Sequence, residues 1–286
     1  FLIDKIRIMG SSYFALKPSF PMAKEPQPVR RESLSPVRTQ LLPVLSTCAA
    51  IAVAAKCSDI LDPQPAKGDT THEAQVWLGW SVIAYGATLH ASRAISLGPH
   101  YLAEVMWGCN TSLLMAGVGM ISHRPLLIGA AMCIVATDQL SWYVDCVSYL
   151  ASGNFVLGVA RFLKEPGTSQ VHFWTTFHHL WFLPVCLYCL RGIGMPRDSL
   201  YLCTAVISLM AILARTFTPF AVKDGDDVSR FNINMSYQFW HDVQISWLHK
   251  LDFYPPQIYL PFMIVVCSLA NAPGVGLLYW VGTQVQ

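Results

Sequence analysis

The chain has 286 residues, a formal net charge of +2, and 53% hydrophobic against 13% charged residues. An average soluble domain carries roughly 25% charge, and mean hydropathy here is +0.42, so too few ionic groups exist to coat a water-facing globule. These values exclude an ordinary cytosolic enzyme, a disordered tail protein and a nucleic-acid binder, which needs a concentrated basic surface, and they make a bilayer the main solvent.

Residues 1–40 differ in kind from the rest. They carry Lys5, Arg7, Lys17, Lys24, Arg30, Arg31 and Arg38 against Asp4, Glu25 and Glu32, with prolines at 18, 21, 26 and 28. The proline cluster forbids a long helix, and the composition supplies no core. An extended basic arm is expected, held by a partner surface or, in the plainer alternative, packed against the chain's own loops. Its acid-poor, Arg- and Ser-containing character resembles the tail of an organelle-targeting segment. Phe1 in first place points to a removed presequence or a missing start.

Residues 41–286 read as the transmembrane domain. A hydrocarbon core about 30 Å thick takes about 20 mostly apolar residues as a helix. Leu41 to Ala55 is apolar but short. Val76 to Ile95 and Tyr101 to Ile121 are good spans. Pro125 to Thr137 starts a fourth that can continue through Asp138 towards Leu150. Asn154 to Leu163 is short, fitting a half-helix or the end of a bent one. His172 to Leu190 and Leu200 to Phe217 are further spans. Ile258 to Val281 closes the chain, interrupted at Asn271-Ala272-Pro273-Gly274. None of these runs shows the period-two alternation of a membrane barrel.

Between the last two spans, Lys223 to Asp227 forms a charged turn with too few spaced oxygens for a calcium loop. Residues 236–251 place Phe239, Trp240, Val243, Trp247 and Leu251 at helical spacing, which predicts an interfacial amphipathic helix. The fold class is therefore all-α: a polytopic membrane bundle of six to eight transmembrane helices, with an N-terminal arm and an interfacial helix.

The nine cysteines are odd in number and lie mostly in apolar runs. That is no disulfide framework, and they read as small buried apolar residues. Cys186 and Cys189 form a C-x-x-C without a second pair.

Ionisable residues at membrane depth are costly and mark function by default. This chain has His90, Arg93, Glu104, Asp138, Asp145, His178 and His179. Asp138 and Asp145 are seven apart and share a helical face. With Arg161 and Asn110 they are expected to form a buried polar network, the carboxylates meeting His178, His179 or Arg161. Pro184 should free backbone carbonyls around Leu180. Adjacent histidines point about 100° apart on a helix, and no H-E-x-x-H is present. A metal site of His178 or His179 with Asp138 and Asp145 is therefore the lesser alternative; no metal is expected, and no cofactor beyond structural lipids. Cys109, in Gly108-Cys109-Asn110-Thr111, is a candidate nucleophile if His178 or His179 reaches it as base. The competing account makes these groups interhelical glue.

The order Cys109-Asn110 in one span, His178-His179 followed by Pro184 in a later one, then Asn232 and Asn234, resembles a family of small polytopic membrane lipid enzymes. That family includes a plasmalogen-forming acyltransferase and lipid hydrolases. The resemblance covers the middle two-thirds of the chain. It implies a Cys or Thr nucleophile paired with a His on another helix, here Cys109 with His178 or His179. The aromatic-rich 236–254 segment and the proline-rich arm have no counterpart in it.

The leading functional expectation is an integral accessory subunit of a larger organellar membrane complex, in the mitochondrial inner membrane. It would contact other membrane-protein subunits partly through residues 1–40, and membrane lipids elsewhere. The alternative is a membrane-embedded lipid acyltransferase or hydrolase using Cys109 with His178 or His179. A transporter ranks third: the Asn271–Gly274 break would suit one, but no internal repeat is visible.

Overall fold

The computed structural model describes residues 40–63, 71–165, 168–224, 227–239 and 249–284. The N-terminal arm, up to residue 39, and the centre of the expected amphipathic helix lie outside the described residues.

The elements in order are α1 (Leu42–Leu61), α2 (His72–Leu97), a 3-10 turn over Pro99–Met106, α3 (Gly108–Ile121), α4 (Pro125–Ser152), a 3-10 turn over Arg161–Lys164, α5 (Gln170–Thr175), α6 (His178–Cys189) and α7 (Ser199–Phe217). A short antiparallel hairpin follows, β1 (Ala221–Asp224) with β2 (Asp227–Arg230), Ala221 opposite Arg230. Two more 3-10 turns, Ile233–Met235 and Lys250–Phe253, lead to α8 (Pro256–Gln284).

Among the described residues, α1, α4, α7 and α8 are the four helices long and apolar enough to cross a membrane. The expected six to eight spans exceed that number for physical reasons. α3 is apolar but has 14 residues, and α6 has 12. α2 is long enough at 26 residues but carries His72, Glu73, His90 and Arg93.

α4 is the hub. Residues 125–136 are buried without interruption, and the helix packs on α3, α6, α7 and α8. It runs through Asp138 to Ser152 and stops at Gly153, whose φ of +76° suits glycine at a helix end. Residues 154–163 form neither the half-helix nor the end of a bent helix that their apolarity suggests. Asp145 reaches into them: Oδ1 accepts from the Leu157 and Gly158 amides at 2.7 and 3.2 Å, and Oδ2 from Ala160 at 2.9 Å. One carboxylate thus satisfies backbone groups that a helix would otherwise have to pair.

α8 also departs from expectation, because it continues through Asn271–Gly274. Its unusual residues are absorbed by α4. The Asn271 carboxamide accepts from the Thr137 N–H at 3.0 Å and donates to the Cys133 carbonyl. Those two groups are an i, i−4 pair of the α4 ladder, so a side chain from α8 spans one rung of α4. Pro273 cannot donate a helical bond, and the Thr137 hydroxyl donates to the nearby carbonyls of Ala270 and Asn271 at 3.1 and 3.3 Å. Gly274 permits this approach, since a Cβ there would lie 2.6 Å from Thr137 Oγ1 and 2.8 Å from Thr137 N.

Asn271→Ala should lower stability by about 1–3 kcal/mol, the cost of unsatisfied buried polar groups. The α4 rung can re-form directly, which favours the low end. Gly274→Val has no such relief and should cost more. Thermal unfolding of the full chain in detergent micelles checks both, and equal melting temperatures for all three proteins would contradict the α4–α8 contact.

Candidate active site

Cys109 stands in the first turn of α3. Asn234 builds that turn from a distant loop: its Oδ1 accepts from the Gly108 amide at 2.8 Å, and its Nδ2 donates to the Met106 carbonyl at 2.7 Å. Asn234 holds φ +51°, a left-handed conformation that asparagine tolerates better than most residues. Asn110 Nδ2 donates to the Glu104 carbonyl at 2.7 Å, and the Thr111 hydroxyl to Val105 at 3.1 Å. A helix N-terminus carries partial positive charge and favours a thiolate, but burial outweighs it and pushes the Cys109 thiol up to about 12, so the resting group is the thiol and a neighbouring base is needed to ionise it.

The histidines owe their placement to a break in the expected 172–190 span. The hydroxyls of Thr175 and Thr176 donate back to the carbonyls of Val171 and His172, at 2.7 and 2.8 Å. Such back-bonding competes with a regular helix, and the chain tightens into i→i+3 bonds, with His179 N donating to Thr176 at 3.1 Å. The Thr175 carbonyl then accepts two side chains instead, the Tyr85 hydroxyl and His178 Nδ1, each at 2.9 Å.

A carbonyl only accepts, so His178 Nδ1 carries the proton and Nε2 presents its lone pair. His178 is 2% exposed, and its Nε2 has no partner in the protein. His179 stacks on Trp142 with ring centroids 5.7 Å apart, and its carbonyl accepts from Gln139 Nε2. Its Nδ1 is likewise unpartnered.

The structure brings the three groups together. Cys109 Sγ and one ring nitrogen from each of His178 and His179 lie within 4.8 Å of one another. The surroundings hold more open polar valences: Asn110 Oδ1, Gln139 Oε1, Trp142 Nε1 and both ring nitrogens of His90 are buried without protein partners. Most buried polar atoms in proteins are paired, so a cluster of exceptions calls for an explanation.

Arg93 ties the site's elements together. Its Nη1 meets Glu104 Oε2 at 2.6 Å, and its Nε donates to Thr175 Oγ1 at 2.8 Å. Both charged side chains are almost fully buried. An open groove of about 410 Å³ is lined by Leu97, Tyr101, Phe162, Glu165, Thr168, Ser169 and His172. Burial, helped by the Arg93 charge, pushes the His172 imidazole down to about 4, so it is neutral at physiological pH.

The expected network of Asp138, Asp145, Arg161 and Asn110 does not form as one unit. Asp145 holds loop amides and Asn110 holds the Glu104 turn. Asp138 and Arg161 are both exposed on the chain. Asp138 has none of its proposed partners, because it leaves α4 on the outer face while Gln139, the next residue, is the one that points to His179. Cys186 and Cys189 are buried free thiols within the core. Sequence reasoning missed Tyr85, Gln139, Trp142 and Thr175 as site residues. The signal available was Arg93 and Glu104, two opposite charges stranded in neighbouring apolar stretches.

No family model, no curated protein and no solved structure matches this chain.

Removing one member of the buried clamp should be costly. Arg93→Met or Glu104→Met should each destabilise by about 3–5 kcal/mol, and Arg93→Met combined with Glu104→Met should recover much of the loss. Melting temperatures of the three variants in micelles test the coupling; additive losses in the double variant would argue against it.

Proposed function

We propose that the chain is a membrane-embedded enzyme that transfers or hydrolyses the acyl group of a lipid, with Cys109 as nucleophile and His178 as base. The observation that carries this is the approach of Cys109 Sγ and the imidazoles within 4.8 Å, at a helix N-terminus inside an apolar bundle.

His178 Nε2 takes the thiol proton, and the sulfur attacks the ester carbonyl carbon. The C–O bond breaks, the departing alcohol regains the proton from the imidazolium, and the acyl group rests on sulfur. Water or a second alcohol then gives its proton to Nε2, attacks the thioester and releases the thiol. Trp142 Nε1–H, beside His179, is the uncommitted donor for the oxyanion. The open groove at His172 would take a lipid headgroup, with Glu165, Thr168, Ser169 and His172 as its polar lining.

In nanodiscs containing an acyl-labelled phospholipid, Cys109→Ala should abolish turnover and the acylated-cysteine adduct seen by mass spectrometry. His178→Gln should slow turnover about 100- to 10,000-fold, the usual worth of a general base. Full turnover in Cys109→Ala would overturn the assignment.

Asp138 supports a second reading, membership of a larger assembly in an organellar inner membrane. It lies near the middle of α4, exposed, with no hydrogen bond or ion pair among the described residues. A carboxylate at the bilayer centre costs roughly 3 kcal/mol on insertion scales. A lysine or arginine on a partner's membrane helix would neutralise it. Asp138→Asn should then release the chain from the assembly in mild-detergent native gels while leaving its own melting temperature unchanged or raised. Co-migration of the variant with the full assembly would remove this role for Asp138.

A further inference from the structure

A nucleophile–base pair needs one imidazole, and this site holds two. His178 Nε2 and His179 Nδ1 are both buried and unpartnered, and the rings lie 4.2 Å apart between centroids. Leaving a buried polar atom unpaired costs about 1–3 kcal/mol, and acyl transfer through Cys109 and His178 gives His179 nothing to do.

We propose that Cys109, His178 and His179 form a binding site for a thiophilic divalent transition metal, with Zn²⁺ the best fit. Zinc takes thiolate sulfur at about 2.3 Å and imidazole nitrogen at about 2.0–2.1 Å, which sets ligand atoms about 3.3–3.6 Å apart in a tetrahedron. The three donors already lie within 4.8 Å of one another, so closing on a metal takes side-chain rotations of an ångström or so. His178 has the outer partner typical of a metal-bound histidine, its Nδ1–H held by the Thr175 carbonyl at 2.9 Å.

The expectation that adjacent histidines diverge too far to share an ion fails here. Each ring keeps one buried nitrogen without a protein partner, Nε2 of His178 and Nδ1 of His179, and the first turn of α6 is entered through i→i+3 bonds rather than a regular helix. One thiolate and two neutral imidazoles suit a borderline-soft ion and poorly suit magnesium or calcium, which take oxygen ligands. Three protein ligands leave a fourth position for water or an exogenous group.

Binding displaces the Cys109 thiol proton, so affinity should rise with pH. It also occupies the sulfur and the His178 lone pair, so metal binding and thiol-based acyl transfer exclude one another. Under the function proposed above, Zn²⁺ is therefore an inhibitor.

The test uses the full chain in nanodiscs, stripped with chelator and titrated with Zn²⁺ or Co²⁺. One equivalent of metal per chain is expected, with a thiolate-to-cobalt charge-transfer band. Cys109→Ser should lose the band, and His179→Gln should weaken binding at least about tenfold. Cys186→Ser, altering a core thiol, should retain both. In the unmodified chain Zn²⁺ should also protect Cys109 from maleimide, a readout that needs no variant. Substoichiometric metal, or unchanged binding in Cys109→Ser and His179→Gln, overturns the site and leaves the acyl-transfer proposal standing. Stoichiometric binding with turnover that requires Zn²⁺ supports the site and removes Cys109 as nucleophile.

Discussion

The buried Arg93–Glu104 ion pair is the constraint on which the rest of the site depends. Two charges held out of water cost several kcal/mol each unless their geometry is good and their remaining valences are filled. Here Arg93 adds a second bond, from Nε to the Thr175 hydroxyl. The consequence reaches both halves of the centre. Glu104 sits on the turn whose carbonyl accepts Asn110, next to Cys109. Thr175 presents the carbonyl that fixes the His178 tautomer. One guanidinium therefore sets the distance between a thiol on α3 and an imidazole on α6, although it belongs to α2.

The second wall of the site comes from α4, and α4 is held from its other side. Gln139 donates to the His179 carbonyl, and the Tyr143 hydroxyl lies 3.4 Å from the Leu180 carbonyl that Pro184 leaves without its helical partner. Two residues before Gln139, Thr137 takes the Asn271 carboxamide from α8. The same stretch of α4 thus carries the rung shared with α8 and the group that orients the histidines. Polar groups that would be expensive in hydrocarbon are spent in pairs across this helix, which is how an apolar bundle acquires one register rather than many.

Part of this was legible in the residues. The apolar runs at 125–137, 200–217 and 258–281 placed α4, α7 and α8, because a membrane helix must be apolar over its whole length. Pro184 freeing Leu180 followed from local chemistry alone. The break after Thr175 had a local cue, two consecutive hydroxyl-bearing β-branched residues. Whether their hydroxyls turn back on the chain depends on Arg93 arriving at Thr175. Asn271-Ala272-Pro273-Gly274 reads as a helix interruption by propensity, yet it is continuous helix, and the asparagine side chain is met by the α4 backbone at Cys133 and Thr137.

The sequence by itself determined the solvent, the helical class and the residue types able to do chemistry: one thiol at a Gly-Cys-Asn turn, a pair of histidines, and charges too costly to be idle. Hydrophobic length and the price of a buried charge are properties of residues, so they can be read without coordinates. Only the tertiary structure decided which of those groups meet. Cys109 and His178 are 69 residues apart, and their approach rests on bonds from Arg93, Asn234 and Gln139, each on a different segment. It also separated Gln139, aimed at the histidines, from Asp138, aimed away, because one residue along a helix turns a side chain by about 100°, and only packing says which face is inward.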